Sequence, residues 1–145
     1  MGTIVVGIDD SQTSRAALAW ALEEAKLRTC ELVIVHCWQV PVVVGPEMVY
    51  VPPPARALLL DDVQACAQKL CDAVGVTNSG VDYRIELPEG RAGAELVQVA
   101  GSADLLVVGT HGSGSVRELL LGSTSSYCVH HSVCPVVVVR AKQPQ

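Results

Sequence analysis

The feature that most constrains the fold of this chain is a regular alternation of short apolar runs with longer segments of helical periodicity. Five runs rich in Val, Ile and Leu are separated by stretches in which apolar residues recur every three or four positions. This alternation is typical of a parallel sheet, because parallel neighbours need crossover connections that are usually helices. A length of 145 residues favours one domain. We therefore predict a single doubly wound α/β domain over residues 1–141, followed by a disordered tail at 142–145.

The positions of the apolar residues predict five strands and four helices. The strands are expected at about 3–8, 32–37, 81–87, 104–108 and 135–140. The helices are expected at about 12–28, 59–73 and 91–101, and from about 122 onward. The expected inner faces comprise Leu18, Ala21, Leu22 and Ala25 in the first helix, and Leu59, Val63, Cys66, Leu70 and Ala73 in the second. Residues 39–55 contain five prolines, which predicts a non-helical flap.

Charge and composition exclude several classes of protein. A net charge of −5 argues against nucleic-acid binding, because affinity for a polyphosphate backbone rests largely on Lys and Arg. No stretch approaches the roughly 18 apolar residues needed to span a membrane, so we expect a cytoplasmic protein that does not bind a membrane. The six cysteines have no CxxC spacing, which is typical of buried, reduced thiols.

A glycine-rich segment joins the fourth strand to the fourth helix and is the strongest candidate for a ligand site. Glycines at 109, 112, 114 and 122 would let an anion approach the backbone, and the following helix would present its positive dipole end. Ser123, Thr124 and Ser125 add hydroxyl groups at the start of that helix. This pattern predicts a phosphate-binding loop.

Two well-known phosphate loops do not fit this segment. A Walker A loop, G-x4-G-K-S/T, requires a lysine, but no Lys occurs between residues 70 and 141. The dinucleotide fingerprint G-x-G-x-x-G follows the first strand, whereas Gly112 and Gly114 come late in the chain. The sequence therefore disfavours both a P-loop NTPase and an NAD-binding protein.

The spacing that does fit is G-x2-G-x9-G-S/T, formed by Gly109, Gly112, Gly122 and Ser123. This motif resembles the nucleotide-binding motif of the universal stress protein family. Segment 6–11 resembles the opening strand and turn of that family, and segment 131–139 resembles its closing helix-to-strand segment. The resemblance implies an adenine nucleotide alpha hydrolase-like fold with sheet order 3-2-1-4-5, whose site lies where the winding reverses between strands one and four.

The resemblance also implies roles for individual residues. Asp9 would bond the ribose hydroxyls or help to hold Mg²⁺ on the phosphates, and the backbone of Cys37 would contact the adenine edge. Asp10 departs from the family pattern, which commonly has Gly there; its carboxylate would repel phosphates unless it faces solvent or Mg²⁺ intervenes. The implied nucleotide-binding residues are Gly7, Ile8, Asp9, Cys37, Val108, Gly109, Thr110, Gly112, Ser113, Gly114, Ser115, Gly122, Ser123, Thr124 and Ser125.

The expected function is the binding of ATP, AMP or ADP by a regulatory or sensor module of the stress response, which an unknown protein partner would read. One alternative is an enzyme, a slow Mg²⁺-dependent ATP hydrolase or a transferase, in which Asp9 or Asp10 holds Mg²⁺ and His111 or Arg117 acts on the phosphates. Another is a dimeric interaction protein that binds no nucleotide. The resemblance further implies a homodimer through the last strand, Val136 to Val139. Cys128, His130, His131 and Cys134 are not expected to bind metal, since only His130 and Cys134 have i, i+4 spacing.

Overall fold

The computed structural model describes residues 1–40, 52–111 and 121–141. Their strands are β1 (Thr3–Gly7), β2 (Glu31–Val35), β3 (Tyr83–Glu86), β4 (Leu105–Gly109) and β5 (Val136–Val139). Their α-helices are α1 (Gln12–Arg28), α2 (Pro53–Val74), α3 (Ala92–Val99) and α4 (Ser123–His131). One 3-10 turn, Ala100–Ser102, follows α3. The tail predicted at 142–145 lies outside the described residues.

The five strands form one parallel sheet in the order β3-β2-β1-β4-β5, as predicted. In the centre, Val5 of β1 is in register with Val33 of β2 and with Leu106 of β4. The chain first winds outward from β1 to β3 and then crosses back to β4 on the other side of β1. The chain therefore leaves the carboxyl ends of β1 and β4 in opposite directions. This switch point is where ligands bind to open α/β sheets.

Apolar residues cover both faces of the sheet, because each parallel strand is buried on two sides. On one face, alternate strand residues such as Ile4 and Leu32 pack against α1 and α2. On the other face, Val5 and Val33 pack against Leu96 of α3 and Cys128 of α4. The resulting three-layer arrangement places the amino ends of α1, α3 and α4 at the edge where the strands end.

The predicted inner face of α1 is confirmed, while that of α2 needs a correction. Leu18, Ala21, Leu22 and Ala25 are all buried. In α2 the most buried residues are Ala67 and Cys71, with Leu70 and Val74 packed beside them, and Ala73 is exposed. The buried face of α2 is formed by small residues, Ala67 and Cys71. A pattern that follows the larger apolar side chains therefore predicts a face that is rotated around the helix from the buried one.

The start of α2 also corrects the predicted flap over 39–55. The helix begins at Pro53, with Pro52 in the N-cap position, so its first turn occupies three residues of that segment. Proline suits the first turn, because the amide hydrogen it lacks would have no partner there and its fixed φ is helical. Residues 41–51 of the flap lie outside the described residues.

All six cysteines are free thiols, as expected from their spacing. Cys30, Cys71 and Cys128 are buried, and the other three are half-buried. Among the described residues, no helix has the length and apolar character needed to cross a membrane.

Candidate functional site

A crevice opens at the carboxyl ends of β1 and β4, between the amino ends of α1, α3 and α4. We call the volume of about 80 Å³ at its base the inner crevice. It continues into a volume of about 650 Å³, the outer cleft, and Cys37, Ala92 and Thr124 line both. Together they reach the roughly 300–1,000 Å³ that is usual for small-molecule sites. The inner crevice is lined by Gly7, Ile8, Asp9, Ser11, Ser14, Val35, Cys37, Ala92, Leu96, Val108, Gly109, His111, Thr124 and Ser125.

The connection from β1 to α1 is held by its own side chains. Ser11 is the N-cap of α1, and its Oγ accepts a hydrogen bond from the Ser14 amide at 3.2 Å. The Ser14 hydroxyl accepts one from the Asp9 amide at 2.7 Å, and Oδ1 of Asp9 accepts one from the Ser11 amide at 2.8 Å. No described residue donates to Oδ2 of Asp9. The half-buried Asp9 therefore keeps one carboxylate oxygen for a ligand.

The unusual Asp10 lies beside the inner crevice rather than in its lining, and Asp9 and Ser11 border both places. Asp10 is exposed and lines a surface groove between α1 and α2, together with Arg15 and Lys69. Because its carboxylate faces solvent and has two cations in the same groove, its repulsion of an anion in the crevice is screened. The departure from the family pattern at this position is therefore compatible with phosphate binding.

The connection from β4 to α4 is tied together at its two ends. The Thr110 carbonyl accepts hydrogen bonds from the Gly122 amide at 2.7 Å and from the buried Ser125 hydroxyl at 3.0 Å. On the other side, the Thr13 hydroxyl of α1 donates to the His111 carbonyl, and Ser11 Oγ lies 3.5 Å from the same oxygen. These bonds fix where the loop leaves β4 and where it enters α4.

The first backbone amides of α4 have no capping side chain among the described residues. The N-cap of this helix is Gly122, which has no side chain to accept their hydrogen bonds. The first amide to bond within the helix is that of Ser126, which donates to the Gly122 carbonyl at 2.9 Å. The amides of Ser123, Thr124 and Ser125 precede it, at the positive end of the helix dipole. This end of the crevice is suited to an anion.

Gly7 and Gly109 sit where neighbouring helices approach the strand ends closely. A Cβ at Gly109 would lie 2.8 Å from Oγ1 of Thr13 and 3.1 Å from its backbone carbonyl carbon. A Cβ at Gly7 would lie 2.7 Å from Cδ1 of Leu96. The two glycines thus let α1 and α3 pack closely around the crevice. This packing requires glycine at both positions whether or not a ligand binds there.

The thiol of Cys37 is unreactive in this environment. Burial, followed by the Glu95 carboxylate and the Cys128 thiol, raises the pKa of Cys37 to about 12. The thiol points at the Ala92 carbonyl, with Sγ and the oxygen 3.8 Å apart. Since the thiol stays protonated at neutral pH, Cys37 would serve a ligand through its backbone, as the sequence predicts.

The family model described as the universal stress protein family matches residues 1–140. The chain belongs to the universal stress protein family. The resemblance inferred from the glycine spacing is thereby confirmed. A universal stress protein of Mycolicibacterium smegmatis is 34% identical over 140 residues, which cover 94% of this chain and 47% of that protein. The chain thus spans about half the length of the curated relatives it matches.

Solved structures of universal stress proteins show the same fold. The protein UspA from Lactobacillus plantarum is 26% identical, with a TM-score of 0.71 and coverage of 96% of this chain and 97% of that one. A universal stress protein in complex with cAMP is also 26% identical, with a TM-score of 0.67 and 96% of each chain covered. The five-stranded order predicted for the family is therefore common to this chain and its relatives.

This universal stress protein brings most of the predicted site residues together. The inner crevice includes Gly7, Ile8, Asp9, Cys37, Val108, Gly109, Thr124 and Ser125, and Ser123 lines the outer cleft. Thr110 and Gly122 instead hold the loop ends through their backbones. The predicted residues Gly112, Ser113, Gly114 and Ser115 lie outside the described residues. Among those that are described, no group of three His, Cys, Asp or Glu side chains could hold a metal ion.

Several residues that line the site were not predicted from the sequence. Ser11, Ser14, Ala92 and Leu96 line the inner crevice, and the outer cleft adds Trp38, Gln39, Gly90, Arg91, Gly93, Ala94 and Tyr127. One signal could have found part of this set. The carboxyl ends of parallel strands share an edge, so the residues that follow the third strand must lie beside those that follow the first and fourth.

Proposed function

We propose that this chain binds an adenine nucleotide, ATP or AMP, in the inner crevice and outer cleft. The observation that carries this proposal is the convergence of Asp9, the end of β4 at Gly109 and the uncapped start of α4 on one crevice at the switch point. The related structure in complex with cAMP supports an adenine nucleotide as the ligand class. The absence of a phosphate-loop lysine in the sequence favours a family member of regulatory rather than catalytic type.

Each part of a nucleotide would meet matching groups in this site. Oδ2 of Asp9, which accepts no hydrogen bond from a described residue, is an acceptor for ribose hydroxyls, and the backbone at Cys37 offers polar groups to an adenine edge. The amides of Ser123, Thr124 and Ser125 would donate to phosphate oxygens. Leu96 and Val108 provide the apolar walls that a base requires.

Magnesium fits this site only as a companion of the phosphates. Mg²⁺ commonly binds through one or two carboxylates, with substrate phosphates and water as its other ligands. Asp9 offers such a carboxylate in the inner crevice, while Asp10 lines only the adjoining surface groove. Mg²⁺ bound here would neutralise phosphate charge. A slow Mg²⁺-dependent hydrolase is the alternative function, and it would consume ATP in the presence of Mg²⁺.

We also propose that the chain acts in the cytoplasm as a nucleotide-dependent module of the stress response and forms a homodimer through β5. This strand lies at one edge of the sheet, and its four valines are each only half-buried. An open edge of apolar residues requires a partner. Sedimentation of the purified chain tests the dimer, and a monomeric mass at micromolar concentration would refute it.

The first experiment is to denature the purified protein, identify any released nucleotide by chromatography, and titrate the emptied protein with Mg-ATP by calorimetry. We expect adenine-nucleotide binding that Gly122→Glu abolishes, because the new carboxylate would lie at the amino end of α4 and repel phosphate. The matched control is Gly101→Glu, at a glycine where a Cβ meets nothing within 4 Å. It should bind ATP as the wild type does.

Two results would contradict the proposal. The absence of both released nucleotide and binding heat in the wild-type protein would make the glycine-rich segment a structural turn. Normal ATP affinity in a folded Gly122→Glu variant would place the phosphates elsewhere. Continuous ATP consumption during the titration would instead favour the hydrolase.

A further inference from the structure

The outer cleft contains a positive charge at Arg91, whose position follows β3 and precedes α3. It is the N-cap residue of α3, and its side chain makes no capping hydrogen bond. Among the described residues that line the inner crevice and outer cleft, Arg91 is the single Lys or Arg. A protein with a net charge of −5 thus presents a cation at the mouth of its anion-binding crevice.

The guanidinium of Arg91 has no carboxylate partner among the described residues, which distinguishes it from three other arginines. Arg28 pairs with Glu24, Arg56 pairs with Glu89, and Arg84 pairs with both Glu31 and Glu86. The Arg56–Glu89 pair lies beside the outer cleft, since Arg56 is 5.9 Å from the Trp38 ring, but its guanidinium is already paired with a carboxylate. An arginine without a partner in a cleft keeps all five of its N–H donors for a ligand.

Helix packing places Arg91 beside the start of α4. Gly93 lies directly against the Tyr127 ring, since a Cβ at Gly93 would be 2.9 Å from Cγ of Tyr127. This contact joins the first turn of α3 to the second turn of α4, and Arg91 lines the same cleft as Ser123 and Thr124. Arg91 and the first two residues of α4 therefore line a shared volume.

The carboxylates around the inner crevice would repel a phosphate group unless a cation lay nearby. Asp9 lines the inner crevice, and Glu95 is close enough to Cys37 to raise its pKa. The carboxylates oppose a polyphosphate, and uncharged backbone amides only partly offset them. A guanidinium binds phosphate oxygens through two parallel hydrogen bonds, which a single amide does not provide.

We propose that Arg91 binds the phosphate groups of the nucleotide in the outer cleft, so that the site selects phosphorylated adenine nucleotides over adenosine. This inference rests on the proposed function, because it assigns a specificity-determining residue to the same site. It directs the phosphate chain from the inner crevice toward α3 as well as α4. Arg91 would then contribute to affinity in proportion to the charge of the ligand.

The test is to measure the affinities of wild type, Arg91→Ala, Arg91→Lys and Arg28→Ala for adenosine, AMP and ATP by calorimetry at low and high salt. Arg91→Ala should lower ATP affinity by about ten- to a hundredfold, the range for a hydrogen bond to a charged group, and leave adenosine affinity unchanged. Arg91→Lys should restore part of the ATP affinity. Arg28→Ala removes an equal charge at the far end of α1 and should match the wild type.

Each outcome separates this inference from the proposed function. Equal ATP affinities in wild type and Arg91→Ala, or an equal loss for adenosine, would overturn the role of Arg91 while the nucleotide site stands. Failure of the wild-type protein to bind any of the three ligands would overturn the proposed function and this inference together. The wild-type ATP affinity should fall more steeply with salt than that of Arg91→Ala, and identical slopes would count against the phosphate contact.

Discussion

The two connections that form the crevice use opposite means to hold their shape. The connection from β1 to α1 has four residues, 8–11; the Asp9 side chain accepts a hydrogen bond from its own backbone at Ser11, and the Ser11 side chain caps the first turn of α1. The connection from β4 to α4 has thirteen residues, 110–122, and enters its helix through Gly122, which has no capping side chain. The first is fixed from within, whereas the second is fixed at its ends by Thr110.

This difference gives the two connections different roles in ligand binding. Among the described residues, three of the four backbone amides of the short connection already donate hydrogen bonds, so it positions the site and offers a ligand acceptors such as Oδ2 of Asp9. At the end of the long connection, no described side chain caps the first amides of α4, so they are the donors that an anion requires. One side of the crevice is therefore held by hydrogen bonds within the protein, and the other side presents backbone amides to a ligand.

The largest expected effect comes from Gly109→Ala, which would push the two connections apart. The added Cβ would lie 2.9 Å from Cβ of Thr13 and 3.1 Å from its backbone, and the backbone cannot rotate away as a side-chain end could. We expect the free energy of unfolding to fall by about 1–3 kcal/mol, the usual cost of overpacking. Urea unfolding of wild type and variant measures this loss.

Gly101→Ala is the control for that measurement, because a Cβ there meets nothing within 4 Å. It should change the free energy of unfolding by no more than about 0.5 kcal/mol, as is usual for surface substitutions. If Gly109→Ala were equally mild, α1 would not pack as tightly on the end of β4 as these distances indicate.

The fold was predictable from sequence because its physical causes are periodic. Strands buried on both faces are continuous apolar runs, and α1 shows a regular apolar stripe at Leu18, Leu22 and Ala25. The predictions are wrong where a residue lies in an environment that is unusual for its type. Prolines at 53 and 54 begin a helix instead of preventing one, and Ala67 and Cys71 are more buried than the larger residues beside them.

The candidate site was predictable only along the segments that have a motif. The glycine spacing and Asp9 identify the ends of β1 and β4, which the sheet order brings together. Leu96, Arg91 and Tyr127 reach the site because α3 packs against α4 across the carboxyl edge of the sheet. That contact depends on the fit of Gly93 to Tyr127, which no local pattern encodes.

A smaller effect is expected from Ser11→Ala, which sharpens the comparison on the side of the short connection. The variant removes the N-cap acceptor of α1 and should lower the free energy of unfolding by about 1 kcal/mol. Ser11→Asn should restore the wild-type stability, because Asn caps helices as well as Ser. A variant as stable as the wild type would show that Asp9 and Ser14 hold this connection without the cap.

The smallest loss of stability is expected from Ser125→Ala, together with a loss of ligand affinity. The Thr110 carbonyl would keep its bond from the Gly122 amide, so the free energy of unfolding should fall by about 0.5 kcal/mol, the low end for one hydrogen bond. The entry into α4 would be held less firmly, and we expect ATP to bind several-fold more weakly in calorimetry. Ser126→Ala, at the next position of α4, is the control for a neighbouring hydroxyl, whose side chain makes no hydrogen bond among the described residues. If Ser125→Ala weakened the fold as much as Ser11→Ala and left ATP affinity unchanged, both connections would be structural in the same way, and the division of roles between them would be wrong.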